Sequence, residues 1–306
     1  MAQVTAKMVK ELRELTGAGM MDCKKVLVET GGDIDKAVEE LRKKGLGKAA
    51  KKSDRLASEG LITITISDDY KKATISEINS ETDFVAKNEK FQQMVKDVTS
   101  HIHENEIVTN EELIKTEIDG MPFEEYLKTQ IATIGENLVV RRFATIKVGE
   151  NGIVNGYVHS NGKVGVILAA KCDSEKTCEG IKDLLKNIAM HAAAMAPKYL
   201  NEAAIPAEDL AKEEEIAKAQ LQKEGKPEKI WDKIIPGKLA KFKNENTLLG
   251  QKFVMDDKKS VGEVLKEKAK ELGGEAEIIE YIRFELGEGL EKKSEDFASE
   301  VAAQLK

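Results

Sequence analysis

The sequence is poor in the side chains from which catalytic and metal centres are usually built. Its 306 residues include three cysteines and four histidines, and aromatic residues make up only 5% of the chain. The histidines are scattered, and no GxSxG, HExxH or paired Cys/His motif is present. These absences disfavour an enzyme and a resident metal ion, and we expect the protein to work without a cofactor.

Cysteine usage and hydropathy both bear on the compartment. The cysteines form no CxxC motif and no even set for pairing, so we expect Cys23, Cys172 and Cys178 each to be a buried or idle thiol in a reducing cytosol. No run approaches the ~20 apolar residues of a membrane span, and the first residues lack the charged and apolar regions of a signal peptide. We therefore expect a cytoplasmic protein that neither enters a membrane nor is secreted.

Charge is distributed unevenly along the chain. The formal net charge of -7 provides no overall positive field for nucleic acid and favours a partner protein. Residues 1–55, however, contain 13 Lys/Arg against 9 Asp/Glu. Their basic run comprises Arg42, Lys43, Lys44, Lys48, Lys51, Lys52 and Arg55. RNA binding by this run stays open as an alternative, although no aromatic residue interleaves with it for base stacking.

The first 55 residues have the pattern of a small helical domain. Apolar residues recur at helical spacing in 5–15, 20–30 and 33–45, which predicts three short helices in one bundle. The third helix is expected to stop near Gly45. A basic tether at 48–55, with few apolar residues, would then form a domain boundary.

Beyond this tether one pattern occurs twice. In each copy two strand-like runs precede an amphipathic helix, and a later strand completes the unit. The strands are expected at 61–66, 73–78 and 139–148, and again at 153–159, 164–170 and 278–286. Asn161-Gly162 suits a type I′ turn in the second hairpin. The pattern predicts a duplicated strand–strand–helix–strand core in a mixed α+β fold.

A charged helical segment interrupts the second copy at 200–248. Residues 207–224 form one arm, Gly225-Lys226-Pro227 marks a turn, and a second arm returns to about Phe242, so the segment is a predicted helical hairpin. The first arm has few apolar residues. We therefore expect the richer second arm to bury its apolar face against the body of the protein or a second chain.

The segment Thr82-Asp83-Phe84-Val85 is the most distinctive candidate site. It is predicted to lie in a loop after the second strand, just before a helix that Asn88 caps. In one interpretation Phe84 tucks onto that helix as a hydrophobic staple. In the other, Phe84 is exposed as a wedge for a partner's pocket, and Asp83 competes for polar groups around a bound ion. The residues alone leave both interpretations open.

Motifs along nearly the whole chain resemble those of bacterial elongation factor Ts, in the same order. They are Leu15-Thr-Gly-Ala-Gly-Met-Met-Asp-Cys-Lys-Lys25, Thr82-Asp83-Phe84-Val85-Ala86-Lys87, Ile134-Gly135-Glu136-Asn137, Pro197-Lys198, Phe253-Val254-Met255 and Ile282-Arg283-Phe284-Glu285. The resemblance implies a guanine-nucleotide exchange factor rather than an enzyme. Such a factor binds elongation factor Tu carrying GDP, dislocates Mg²⁺ and promotes GDP release so that GTP can bind.

The resemblance also implies a domain plan. It comprises a ubiquitin-associated-like (UBA-like) three-helix domain at 1–54, a core N-subdomain at 55–148, a core C-subdomain at 149–199 and 249–288, an inserted helical hairpin of dimerisation type at 200–248, and a C-terminal module at 289–306. A homodimer through residues 200–248 is therefore expected. A UBA-like adaptor or an RNA-binding module is the alternative function.

Particular residues take roles through the same resemblance. The Mg²⁺-dislocating segment would be Thr82, Asp83, Phe84 and Val85. The contacts with elongation factor Tu would be Met20, Met21, Lys24, Ile134, Gly135, His159, Val254 and Met255. Met20 and Met21 could equally belong to the core of the bundle, and Val254 could be an ordinary strand residue.

Overall fold

The computed structural model describes residues 4–50 and 52–290, so most of the predicted C-terminal module, residues 291–306, lies outside the described part. The helices are α1 (Ala6–Thr16), α2 (Met20–Glu29), α3 (Ile34–Ala50), α4 (Asp83–Ala86), α5 (Glu89–Glu104), α6 (Asn110–Leu113), α7 (Phe123–Ile134), α8 (Glu175–Met195), α9 (Ala207–Lys223), α10 (Trp231–Asn246) and α11 (Val261–Glu271). The strands are β1 (Glu59–Ile66), β2 (Lys72–Ser80), β3 (Glu117–Ile118), β4 (Met121–Pro122), β5 (Val139–Lys147), β6 (Gly152–Val158), β7 (Val164–Cys172), β8 (Lys252–Phe253), β9 (Asp256–Ser260) and β10 (Ala276–Glu285). N-terminal helices followed by antiparallel sheets confirm the predicted α+β class.

Two three-stranded sheets repeat one arrangement. Their strand orders are β1-β2-β5 and β6-β7-β10, so the second strand of each hairpin is central and the later strand lies beside it. Strands β6 and β7 pair in antiparallel register from Gly152 opposite Lys171 to Val158 opposite Gly165. A long helix, α5 or α8, follows each hairpin. The predicted duplication is therefore confirmed.

By contacts the chain divides into two compact units. Within the part of the chain that the structure describes, the first comprises residues 4–50, 52–63, 76–143 and 285–290, and the second comprises residues 64–75 and 144–284. Among the described residues, none of the helices has the length and apolar character needed to cross a bilayer.

Helix α5 anchors the core of the first unit. The Asn88 side chain caps it, as predicted, by accepting a hydrogen bond from the Lys90 N–H at 2.9 Å. The predicted apolar face is buried and consists of Phe91, Met94, Val95, Val98 and Ile102. Each such side chain contributes about 1.5–3 kcal/mol when fully buried. Gly60 in β1 permits close strand pairing, because it has a φ of 136° and a Cβ there would collide with the Ile78 carbonyl.

Helices α1 to α3 form the predicted bundle, with Leu12, Cys23 and Leu27 fully buried at its centre. Helix α3 does not stop near Gly45 but continues to Ala50. Its last turns pack along α7, where Ala49 joins the apolar core of the first unit. The predicted tether is therefore wrong for residues 48–50, because tertiary packing extends the helix. Lys51 lies outside the described residues.

In the second unit, α8 packs on β6 and β7 around a core that includes Leu168, Ile181 and Leu185. The β6–β7 turn is not type I′, because Gly162 has a φ of 68° but Asn161 does not have the positive φ that this turn also requires. Instead, the Gly162 N–H donates to the His159 carbonyl at 2.8 Å within the five-residue loop 159–163.

Helices α9 and α10 form the predicted hairpin and have a small core of their own. Ala217 and Leu221 of the first arm and Ile235 of the second are buried together, and Trp231, Ile234 and Leu239 pack against them. The expectation that the second arm must bury its apolar face elsewhere is therefore wrong. The first arm covers it.

The cysteine prediction needs one correction. Cys172 at the end of β7 forms a disulfide with Cys178 in α8, so these two residues are not lone thiols. The residues follow a C-x5-C spacing across a strand-to-helix turn, which brings their Cα atoms to 5.7 Å. Cys23 is a free, buried thiol, as predicted.

Candidate functional site

The segment predicted as a loop after β2 is a single helical turn. Residues Asp83–Ala86 form α4, and Thr82 is its N-cap, with a side-chain oxygen that accepts a hydrogen bond from the Val85 N–H at 3.4 Å. Threonine is a favoured N-cap because its side-chain oxygen can accept a backbone N–H of the first helical turn. We call residues Thr82–Val85 the tip.

Phe84 is the most exposed side chain of the tip. It is 78% exposed, whereas Val85 is half-buried against the core of the first unit. The hydrophobic-staple interpretation is therefore wrong for Phe84, since the ring does not pack on the following helix. The Lys87 ammonium lies 5.7 Å from the ring centroid and also pairs with the Asp83 carboxylate at 2.8 Å. The tip thus presents an aromatic ring beside a carboxylate.

Glu136 anchors the start of the tip. One of its carboxylate oxygens accepts hydrogen bonds from the N–H groups of Glu81 and Thr82, both at 3.0 Å. The other accepts the Thr82 hydroxyl at 2.6 Å. Glu136 belongs to the motif Ile134-Gly135-Glu136-Asn137, but the sequence analysis assigned it no role. No local signal could have found the contact, since 54 residues separate it from Thr82.

Ile134 and Gly135 lie beside these contacts at the end of α7. Gly135 ends that helix with a φ of 92°, and its N–H donates to the Ile131 carbonyl. Its own carbonyl accepts a hydrogen bond from the Lys52 ammonium. Ile134 is half-buried against the core of the first unit. The structure therefore groups Ile134 and Gly135 with the tip through Glu136.

The bundle residues predicted to contact a partner are all on the surface of α2. Met20 and Met21 are 58% and 76% exposed, and Lys24 is exposed as well. The alternative that the two methionines form the core of the bundle is therefore wrong. Exposed methionines are adaptable apolar contacts, which suits a protein-binding surface.

The remaining predicted contacts belong to the second unit. His159 is exposed, and its Nδ1 lies 3.0 Å from the Tyr157 hydroxyl. Val254 and Met255 are 45% and 60% exposed in the turn between β8 and β9. Val254 lies outside both strands, so it is not the ordinary strand residue of the alternative interpretation.

Buried His191 fixes the turn that carries Val254. Its Nδ1 accepts a hydrogen bond from the Val254 N–H at 3.2 Å, and its Nε2 lies 2.9 Å from the Gln251 side-chain oxygen. Burial lowers the pKa of His191, although the Gln251 hydrogen bond opposes that effect. The neutral ring can act as donor to Gln251 and acceptor from Val254 at once.

The basic run at 42–55 is largely engaged within the protein. Arg42 pairs with Glu125, Lys43 with Glu39, Lys44 with Glu29 and Arg55 with Glu81, while Lys52 bonds the Gly135 carbonyl. The Lys48 side chain and Lys51 lie outside the described residues. These internal partners weaken the RNA-binding alternative.

The described part of the chain contains no cluster of side chains suited to binding a metal ion. Across residues 4–50 and 52–290, no group of three or more His, Cys, Asp or Glu side chains converges on a point that could hold an ion.

Comparison with known proteins gives a consistent result. A family model described as Elongation factor TS matches residues 81–288. Elongation factor Ts of a Nitratiruptor species is 64% identical over 303 residues, 99% of both chains. The proteins of that name from Nautilia profundicola and Campylobacter curvus are 59% and 53% identical and match over 100% and 99% of both chains.

These matches define the class and then the family. The chain is a translation elongation factor with a role in protein biosynthesis. It belongs to the elongation factor Ts family.

Proposed function

We propose that this protein binds elongation factor Tu carrying GDP, dislocates the bound Mg²⁺ and promotes GDP release so that GTP can bind. Family membership supports the partner and the reaction. The observation that carries the proposal is the 78% exposure of Phe84 on a helical turn whose first residue is held by Glu136. The protein makes and breaks no covalent bond in this role, so it is an exchange factor rather than an enzyme.

The tip would act by entering the nucleotide site of the partner. Burial of an exposed phenylalanine stabilises a complex by about 1.5–3 kcal/mol, or one to two orders of magnitude in affinity. The carboxylate of Asp83, the residue just before Phe84, would compete for polar groups that orient Mg²⁺. The loss of metal coordination then weakens GDP binding further than the ring could alone.

Exchange follows from reciprocal coupling between two ligands on elongation factor Tu. A factor that binds the nucleotide-free form more tightly than the GDP form must weaken GDP binding by the same factor. GTP with Mg²⁺ displaces the factor by the same linkage. The exchange factor is thereby released for another cycle.

Additional contacts would hold the partner while the tip acts. They would come from Met20, Met21, Lys24, Ile134, Gly135, His159, Val254 and Met255. All but Ile134 and Gly135, which are half-buried, are exposed. We also place this activity in the cytoplasm, where translation proceeds, and propose that it requires neither direct nucleic-acid binding nor a membrane.

A direct test measures release of fluorescent GDP from purified elongation factor Tu. With unlabelled nucleotide in excess and millimolar Mg²⁺ present, substoichiometric amounts of this protein should accelerate release with multiple turnovers. A stoichiometric burst without turnover would indicate a binding protein only. No acceleration would overturn the proposal.

A further inference from the structure

Helix α4 is too short to be stable by itself. It contains four residues, whereas isolated helices in water need about 12–15 residues to be even marginally stable. Its local support consists of the 3.4 Å capping hydrogen bond, the backbone bonds from the Lys87 and Asn88 N–H groups to the Phe84 and Val85 carbonyls, and an exposed Lys87–Asp83 ion pair. Pairs of that kind contribute little, since solvent screens them. The order of the tip therefore depends on contacts from outside it.

The Glu136 carboxylate supplies three such contacts. It accepts two backbone N–H groups and one hydroxyl from Glu81 and Thr82. Hydrogen bonds to an ionised acceptor are stronger than bonds between neutral groups. They fix the backbone where β2 ends and α4 begins, and so set the direction in which α4 leaves the sheet.

Glu136 is itself held in place. The preceding Gly135 ends α7 in the left-handed conformation, and the following Asn137 is only 4% exposed. The Asn137 N–H donates to the Glu81 carboxylate at 2.7 Å, and its side-chain amide donates to the Ser53 and Arg55 carbonyls. The backbone of Glu81 therefore donates to the Glu136 side chain, and the backbone of Asn137 donates to the Glu81 side chain. We call this reciprocal set of hydrogen bonds the clasp.

We infer that Glu136 is a positioning residue that holds Phe84 in the orientation required for nucleotide exchange, an inference that rests on the proposed function. With the clasp intact, Val85 packs inward and Phe84 points away from the core. Without it the aromatic ring is still exposed, but the partner must order the backbone that carries it. That ordering cost falls on the insertion step rather than on the first encounter.

The test is a double-mutant cycle between Glu136→Ala and Phe84→Ala, read by release of fluorescent GDP from elongation factor Tu. Glu136→Ala should lower the maximal stimulated rate about tenfold, the equivalent of ordering one extra residue. The protein concentration at half-maximal stimulation should change by less than about twofold, because the exposed α2 surface is intact. In the Phe84→Ala background, Glu136→Ala should have no further effect.

Two further variants separate positioning from general structure. Glu136→Gln should restore most of the rate, since an amide oxygen can accept both N–H groups and the amide NH₂ can donate to the Thr82 hydroxyl. Glu112→Ala is the matched control, because Glu112 similarly accepts the N–H groups of Val108 and Thr109 before the four-residue helix α6. It should leave exchange unchanged.

Several outcomes would overturn the inference. They are full exchange by Glu136→Ala, an additive loss in the double variant, or no recovery with Glu136→Gln. If Glu136→Ala melts at a lower temperature than Glu112→Ala, Thr82→Val decides instead, because it removes the hydroxyl bond to Glu136 together with the capping bond from the Val85 N–H. Full exchange by that variant would also overturn the inference. If the unsubstituted protein does not accelerate GDP release, both the proposed function and the inference are overturned. If the unsubstituted protein and Glu136→Ala accelerate release equally, the inference alone is overturned.

Discussion

Glu77 shows how strongly a single residue can tie distant segments of the first unit together. Its side chain is fully buried on the central strand β2, and its carboxylate bonds Arg141 and Arg142 of β5 at 2.6–3.1 Å. It also accepts the Gly287 N–H at 2.9 Å, which ties the chain after β10 to the sheet. Sequence reasoning missed this cluster, because nothing in the pattern of β2 marks an inward-facing charge.

Glu77 should make the free energy of unfolding depend on pH in the acidic range. Burial on its own would raise the pKa of Glu77, but hydrogen bonds from Gly287, Arg141, Arg142 and Asn79 outweigh it and hold the pKa below the ordinary value. A depressed carboxylate pKa adds stability that is present above the unfolded value of about 4.3 and is lost as pH falls through the folded value. Glu77→Gln should therefore cost roughly 3 kcal/mol of unfolding free energy at pH 7.

Urea unfolding at several pH values checks this prediction. The gap between wild type and Glu77→Gln should narrow as pH falls below about 4.3, because the wild-type carboxyl then also becomes neutral. Exposed Glu112→Gln is the control and should show a small difference at every pH. A gap of constant size down to the acid transition would contradict the assigned charge.

At the scale of secondary-structure elements, tertiary contacts explain where sequence reasoning failed. Helix α3 runs past Gly45 because Ala49 packs beside α7, and the residues that begin the tip are hydrogen-bonded to Glu136, which is distant in sequence. By contrast, the amphipathic face of α5 and the paired strands of both hairpins follow from local periodicity and were predictable. Local patterns identified the elements, whereas long-range contacts determined several of their ends.

The disulfide between β7 and α8 is a second element-scale feature with a measurable effect. The Cys172–Cys178 bond closes a short loop between the central strand and the helix that covers it. Loop-closure entropy for such a loop stabilises the oxidised protein by about 2 kcal/mol. A reducing cytosol would keep the pair as thiols, so the effect belongs to the oxidised form.

Thiol counting and unfolding together test this feature. After equilibration with oxidised glutathione, the unfolded and unreduced protein should react with one equivalent of iodoacetamide, at Cys23, and with three after reduction. Cys172→Ser should lower the unfolding free energy of the oxidised protein by about 2 kcal/mol but leave that of the reduced protein nearly unchanged. Three reactive thiols without reduction would contradict the pairing.

At the scale of the whole molecule, the sequence carried the class and family, because its motifs extend along nearly the entire chain. The exposure of Phe84 and of both α2 methionines needed the structure, since an apolar residue beside a helix is as compatible with a core as with a contact. The domain boundaries stay predictions. So do the roles of the individual contact residues, which only partner binding can establish.

The homodimer through residues 200–248 also stays a prediction. Because α9 and α10 bury their apolar residues against each other, the hairpin needs no second chain to cover it, and Ile216, 41% exposed, is its clearest remaining apolar contact. If the hairpin dimerises, sedimentation velocity should show a dimer that Ile216→Glu converts to a monomer. A wild-type protein that stays monomeric at all concentrations up to about 100 μM would contradict the prediction. Such a result would mean a dimer affinity weaker than that of a specific interface of standard size.

The most direct test of the central claim compares Phe84→Ala with wild type at different Mg²⁺ concentrations. Release of fluorescent GDP from elongation factor Tu is measured in millimolar Mg²⁺ and in EDTA, with Val108→Ala, which truncates a 74% exposed side chain elsewhere in the first unit, as the control. If Phe84 acts by dislocating Mg²⁺, its truncation should slow release at least about tenfold with Mg²⁺ present but less than about twofold in EDTA. An equal loss under both conditions, or an equal loss in Val108→Ala, would contradict the claim.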